Sequence, residues 1–316
     1  MSQKNILILG GFGFIGRNII EELTTDDQYT IIVFDKNGNP FSGSHLGQCV
    51  VSYKGDFSRT DDLERIFKEW KIDIVIHAIA TTVPVTSQAN IAKDIGLNLL
   101  STIQLLELMR FYKVPQIIFL SSGGAVYGPV SDGSVRAFRE DDQTNPISSY
   151  GIIKLAIEKY IILYHRLYGI HFLILRLSNP YGKYHQSEVQ GIINVSLRKV
   201  LKGIPVVIWG DGAAIKDYMY VSDCAAVIHS LLDKGVVEEV FNVGSGTGYS
   251  INDILKIMYG EIGAFDVEYK EAKLSDISYA VLDITKLMSF VPMMMTNIRD
   301  GIRKTHGWLK NTLYEC

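Results

Sequence analysis

Apolar and polar positions along the first half of the chain follow two alternating periods. Ile6-Leu7-Ile8-Leu9 is a short, wholly apolar run ending in glycines, the pattern of a parallel strand buried on both faces. From Phe14 to Leu23 the apolar positions recur at helical spacing, and Tyr29 to Phe34 forms a second apolar strand. The chain therefore opens as a β-α-β unit. The alternation continues with a strand near Val50 to Tyr53, a helix from Thr60 to Trp70, a strand from Ile72 to Ile76 and a helix from about Ile91 to Tyr112. A strand from Gln116 to Leu120, a helix from Ser149 to Tyr168 and a strand from Phe172 to Arg176 follow. Such a sequence of elements predicts an α/β fold built on a doubly wound parallel (Rossmann) sheet. Beyond about Asn179 the period becomes irregular, which predicts a second, smaller α/β lobe for substrate. The expected division is 1–179 and 180–316, with a helix from Ser222 to Asp233 and a strand from Val240 to Val243 placed so that they could return to the first lobe.

Composition narrows the function classes. The chain has 316 residues, 47% of them hydrophobic and 21% charged, with a formal net charge of −3 spread in both signs. It carries no basic field of the kind that binds a phosphate backbone, so nucleic acid is not an expected partner. Cys49, Cys224 and Cys316 stand far apart and in no metal-ligand spacing; this argues against disulfides and structural zinc and for a reducing compartment. The apolar run near the start is too short for a signal-peptide core, and charges or glycines interrupt every run before it reaches a membrane span. The expectation is a cytoplasmic protein with no membrane partner and no metal.

Three features carry chemistry. Gly10, Gly13 and Gly16 lie between the first strand and the first helix, where missing side chains let backbone approach a pyrophosphate at the helix N-terminus, here opened by Phe14 and Ile15. Asp35 ends the second strand, 19 residues after Gly16, near the offset at which an acid binds the adenosine ribose. Its charge favours NAD over NADP, with Lys36 beside it as the counter-indication. Asp56 and Phe57 end the third strand where an adenine contact would fall, although a turn-forming Asp reads equally well there. On the long helix, Tyr150 and Lys154 are four residues apart and share one face, so the ammonium can lower the phenol pKa and make Tyr150 a general base.

These motifs, with His77-Ala78-Ile79-Ala80, Ser121-Ser122-Gly123-Gly124-Ala125-Val126-Tyr127-Gly128, Arg176-Leu177-Ser178-Asn179-Pro180-Tyr181-Gly182, Gly210-Asp211-Gly212 with Asp217 to Asp223, and Phe241-Asn242-Val243-Gly244, resemble the extended short-chain dehydrogenase/reductases over nearly the whole chain. Within that group the sequence looks most like the UDP-hexose 4-epimerases. The resemblance implies Tyr150 as base, Lys154 as its electrostatic partner and a ribose ligand, Ala78, Ala80 and Asn98 on the cofactor side, and Asn179 as a substrate diphosphate contact. It implies bound NAD, a UDP-sugar as substrate and a homodimer formed through the helices around Asn98–Tyr112 and Ser149–Tyr168, whose apolar faces packing inside one chain would explain equally well.

Departures from the family pattern bear on the site. The family's catalytic Ser or Thr falls at Gly123; the adjacent Ser122 is the substitute for catalysis and substrate contact, with Ser121 or an ordered water left open. Two cationic positions that bind the substrate diphosphate are lysines, Lys216 and Lys273, point charges without the bidentate fork of Arg. Gly124 and Ala125 stand where resembling dehydratases carry an Asp-Glu pair, so elimination chemistry is not expected. The reading is an NAD-dependent 4-epimerase of a UDP-linked hexose or N-acetylhexosamine. A nucleotide-sugar 4-ketoreductase is the alternative, and a non-catalytic dinucleotide-binding sensor is the alternative of another class.

Overall fold

The computed structural model describes residues 3–129, 136–271 and 277–314. Six strands, β1 (Lys4–Leu9), β2 (Tyr29–Asp35), β3 (Val50–Lys54), β4 (Ile74–His77), β5 (Gln116–Ser122) and β6 (His171–Leu177), are followed by β7 (Asn179–Tyr181), β8 (Val206–Trp209), β9 (Ile215–Tyr220) and β10 (Glu239–Val243). The main sheet has seven strands in the order β10-β6-β5-β4-β1-β2-β3, and every pair in it is parallel. The expected α/β doubly wound architecture is therefore the observed one.

Because strand side chains alternate faces, β1 divides its residues between two cores. Ile6 and Ile8 join Ile19 and Ile20 of α1 (Phe14–Leu23) and Val227, Ile228 and Leu231 of the Val221–Asp233 helix. Leu7 and Leu9 join Leu105, Met109, Ile157 and Ile161 from helices on the opposite face. Chain order runs outward in opposite directions from β1 and β4, so the loops that leave these two strands open a crevice at their carboxyl ends. The glycine loop leaves β1 and His77-Ala78 leaves β4, which puts both at that crevice.

The second group of strands forms a small sheet in which β9 pairs with β7, with β11 (Gly248–Ser250) antiparallel and with β13 (Tyr279–Ala280), while β12 (Val267–Lys270) pairs with β8. Its core gathers Tyr181, Ile193, Leu197, Ile254, Met258 and Ile302. Among the described residues no helix is long and apolar enough to cross a membrane.

Two of the differences from the sequence reading have a local cause. The fourth strand covers Ile74–His77 rather than beginning at Ile72; Asp73 is held back by accepting the Asn5 N–H through its carboxylate at 2.9 Å. The helix expected from Ile91 to Tyr112 ends at Phe111 and is interrupted by a π turn over Ile95–Leu100. There the Asn98 side chain donates to the Asp94 carbonyl at 3.2 Å, the acceptor an unbroken α-helix would offer to the Asn98 backbone N–H, so the turn widens.

A buried ion pair joins the Ser149–Tyr168 helix to β6. Arg176 and Glu158 meet at 2.8 Å with side chains 6% and 1% exposed, and Arg176 also donates to the Tyr127 hydroxyl at 2.9 Å. Removing one partner strands the other charge in the core. Glu158→Ala should therefore lower stability by about 3–5 kcal/mol, measured as a fall in the denaturant midpoint at unchanged slope.

Candidate active site

The glycine loop is built so that side chains cannot occupy it. Gly10 has φ +77°, and a Cβ on it would sit 3.0 Å from the Ile79 side chain. At Gly16 a Cβ would lie 2.4 Å from the Gly10 carbonyl oxygen and 2.6 Å from the Gly11 Cα; at Gly11, which the sequence reading passed over, it would lie 2.6 Å from Val33. The loop closes on itself through the Gly13 N–H to the Gly10 carbonyl at 3.0 Å. Gly13 is the N-cap of α1 and has no side chain to accept from the helix, so the first-turn N–H groups of Phe14, Ile15 and Gly16 face the crevice as donors for an anion. This cradle fits a dinucleotide pyrophosphate.

Asp35 is buried at the end of β2. One carboxylate oxygen accepts the Phe12 N–H at 3.0 Å and the other the Asn37 N–H at 2.9 Å. These bonds fix the acid to the glycine loop and leave a lone pair on each oxygen for a ribose hydroxyl. Lys36 is exposed. The Asp56 carboxylate accepts the Ser58 N–H at 2.9 Å and the Ser58 hydroxyl at 2.7 Å, which holds it below the usual carboxylate range. It caps a turn while keeping its second oxygen outward. Phe57 is buried edge-on to His77, with ring centroids 5.1 Å apart. Ala78 and Ala80 continue from β4 into the crevice, and the Ala78 N–H donates to Leu9 at 3.0 Å.

Tyr150 and Lys154 lie in the first two turns of the Ser149–Tyr168 helix, whose N-cap Ser148 accepts the Gly151 N–H at 3.2 Å. The Lys154 ammonium is buried, donates to the Leu120 carbonyl at 2.7 Å, and lies 5.8 Å from the centre of the Tyr150 ring. Burial pulls its pKa down to about 8, with Glu158 opposing the shift. Burial likewise pushes the Tyr150 phenol up to about 12, and the Ser122 side chain against it favours the anion. The alternation of β5 separates the two serines, since Ser121 turns to the opposite side and donates to the buried Glu158.

Gly123 has a steric reason. A Cβ there would meet the Leu282 side chain at 2.7 Å and the Arg176 carbonyl at 3.1 Å. Gly123→Ser should thus cost about 1–3 kcal/mol by overpacking, and combined with Leu282→Ala it should cost less than the sum of the two separate losses in thermal unfolding. Beside it a Cβ on Gly124 would meet nothing within 4 Å.

The other expected site residues are placed unequally. Asn98 is buried, its oxygen accepting the Thr81 N–H at 3.0 Å and its amide donating to Thr81 Oγ1 and Asp94. Both ends of that amide are engaged in holding the π turn, so its side chain acts on the crevice through Thr81 and Asp94. His77 is buried between Phe57 and Phe119 with its pKa down to about 3; it stays neutral, with Nε2 2.9 Å from Thr102 Oγ1. Asn179 donates to the Asp217 carbonyl at 2.9 Å from the edge of the second lobe. The Lys216 ammonium is directed to the Ile277 carbonyl. Lys273 lies outside the described residues.

The segment from Tyr184 to Gln190 is anchored at its start. Tyr184 bonds to Glu21 and His185 packs edge-on to Phe14 at 4.9 Å; Val189, near its end, is 87% exposed. Sequence reasoning also missed Asp94 and the Thr82 and Ser149 hydroxyls that, with the Asn98 amide, donate to it; the four-residue spacing of Asp94 and Asn98 was the available signal.

A glycine cradle at the crevice of a doubly wound sheet defines the class: a dinucleotide-dependent enzyme. The chain belongs to the NAD dependent epimerase/dehydratase family, whose model matches residues 6–244. It is 34% identical over 312 residues to a putative UDP-glucose 4-epimerase of Methanocaldococcus jannaschii, covering 97% of this chain and 98% of that one. It is 30% identical over 311 residues to the dTDP-4-dehydro-6-deoxyglucose reductase of Escherichia coli, covering 96% and 97%. Its fold matches the crystal structure of the UDP-glucose 4-epimerase of Thermotoga maritima with UDP-glucose, at TM-score 0.89 and 30% identity over 98% of this chain and 99% of the other.

Proposed function

We propose that the chain is an NAD-dependent 4-epimerase of a UDP-linked hexose or N-acetylhexosamine. The observation that carries this reading is the Tyr150 phenol with Ser122 against it and the Lys154 ammonium beside its ring, while positions 124 and 125 supply Gly and Ala rather than acids. Epimerisation by oxidation and re-reduction needs one residue that takes a hydroxyl proton and gives it back, whereas elimination needs further proton-transfer groups. NAD, when bound, supplies the hydride acceptor and donor.

The residues then divide the work. Gly10, Gly13, Phe14, Ile15 and Gly16 cradle the pyrophosphate by backbone; Asp35 holds the adenosine ribose, with Lys36, Asp56, Phe57, Ala78 and Ala80 around the dinucleotide. Tyr150 removes the proton from the sugar hydroxyl and returns it, Ser122 orients that hydroxyl, and Lys154 favours the phenolate and reaches the second ribose. Asn179, Lys216 and Lys273 bind the substrate diphosphate.

The purified protein, incubated with UDP-glucose, UDP-galactose and their N-acetyl analogues, should interconvert one 4-epimeric pair without net consumption of added NAD. The identity with the E. coli reductase supports a second reading: NAD(P)H-dependent reduction of a 4-keto nucleotide sugar with no interconversion would establish a ketoreductase instead. An epimerised UDP-sugar serves as a glycosyl donor, which places the reaction ahead of glycan assembly. The buried Cys224 has its thiol raised to about 12 by burial and is therefore inert; a cytoplasmic location belongs to the same proposal.

The dimer is proposed to form through the apolar stripe of two adjacent helices. Ile152, Tyr160, Leu163 and Leu167 are 54%, 39%, 42% and 60% exposed on one, and Leu100 and Phe111 are 52% and 72% exposed beside them. Exposed apolar area of this kind marks an interface. Leu163→Glu should convert a dimer into a monomer in light scattering; a wild-type monomer would refute the proposal.

A further inference from the structure

Asp94 has no part in the chemistry above, yet it is 2% exposed and lies at the centre of the site. It ends the short Ile91–Asp94 turn where the helix enters its π turn. One carboxylate oxygen accepts the Thr82 hydroxyl at 2.6 Å and the Asn98 amide at 2.8 Å, and the other accepts the Ser149 hydroxyl at 2.9 Å. All three are neutral donors, so none of these partners supplies a countercharge. Ser149 directly precedes Tyr150, whose own N–H donates to the Ser87 hydroxyl at 3.2 Å. The first turn of the catalytic helix is thus tied to the segment from Thr82 to Asn98. Asp94, Tyr150 and Lys154 line one enclosed cavity of about 10 Å³, together with His77, Asn98 and Thr102, room for about one water.

We propose that Asp94 is a positioning residue for Tyr150, anchoring the start of the catalytic helix through Ser149 and setting, by its buried charge, when the phenol serves as a base. The inference rests on the acid/base reading of Tyr150 given above. A fixed anion beside the phenol opposes a second anion there, and Asp94 adds to the effect of burial on Tyr150. The other groups facing the phenol are the neutral Ser122 from β5 and, across the cavity, neutral His77 and the Lys154 ammonium. While Lys154 is charged it offsets Asp94, so the two together set the charge that the phenol meets on losing its proton.

The test is a titration of the Tyr150 phenol by ultraviolet difference absorbance in the NAD complex, with Tyr150→Phe as the blank, alongside the pH profile of turnover. Asp94→Asn should move the phenol and the acid limb of turnover down by about one pH unit. Thr82→Val removes one donor from the carboxylate, leaves its charge less compensated and should move the phenol up; it carries the test if Asp94→Asn does not fold. Ser149→Ala cuts the tether but keeps the charge, so turnover should fall without the downward shift. An unmoved phenol in folded Asp94→Asn, or in Thr82→Val, would overturn the proposal even if wild-type protein epimerises. A moved phenol in a wild-type background inert toward every UDP-hexose would uphold the electrostatic role of Asp94 and overturn the epimerase reading instead.

Discussion

Tyr150→Phe should lower turnover of the UDP-hexose by about 10³- to 10⁴-fold, near the upper range for one acid/base group, while NAD still binds. The substitution removes only the phenolic oxygen. The ring remains packed in its cavity, and the glycine cradle and Asp35, which contact the cofactor, lie on other elements. Two measurements check this: single-turnover rates with the substrate pair, and NAD affinity by calorimetry. A variant that loses NAD as well as turnover would show that Tyr150 acts through the fold rather than through its hydroxyl.

Lys154→Met should have an effect of about 10³-fold and a different pH signature. In the unliganded protein the phenol is held at about 12, chiefly by burial, so without a nearby cation Tyr150 remains a neutral acid at physiological pH. Lys154, pulled down to about 8 by its own burial, is charged below that pH and neutral above it. Its stabilisation of the phenolate is consequently present on the acid side and lost as the pH rises through about 8. Wild-type turnover should decline there, and the decline should vanish in Lys154→Met because no charge remains to lose. An alkaline limb that persists unchanged in the variant would assign it to another group. Both substitutions spare the Arg176–Glu158 pair, so unfolding midpoints serve to separate catalytic loss from instability.

Much of the scaffold was legible in the sequence because burial on both sheet faces leaves an unambiguous mark. The apolar runs of β1, β2, β5 and β6, separated by helices of period 3.6, require parallel strands with helices above and below. The glycine triplet was legible because local backbone approach, not distant packing, demands it, and the Tyr150/Lys154 pair because both residues ride on one helix face. The π turn was not legible, since it arises where one side chain, Asn98, competes for a backbone acceptor.

What the sequence determined by itself is therefore local in origin: the order of strands and helices, the cradle, and the spacing of the phenol and the ammonium. Only the tertiary structure decided which serine faces Tyr150, because the pleat of β5 turns Ser121 to Glu158 and leaves Ser122 at the phenol. It also decided why position 123 is glycine, since Leu282 arrives there from 159 residues away in the chain and leaves no room for a Cβ. Asp94 became part of the site for the same reason. Asn98 lies four residues on in the same helical segment, but Thr82 and Ser149 come from other segments, and contacts across such distances are set by how whole helices pack on the sheet, which no local pattern of residues records.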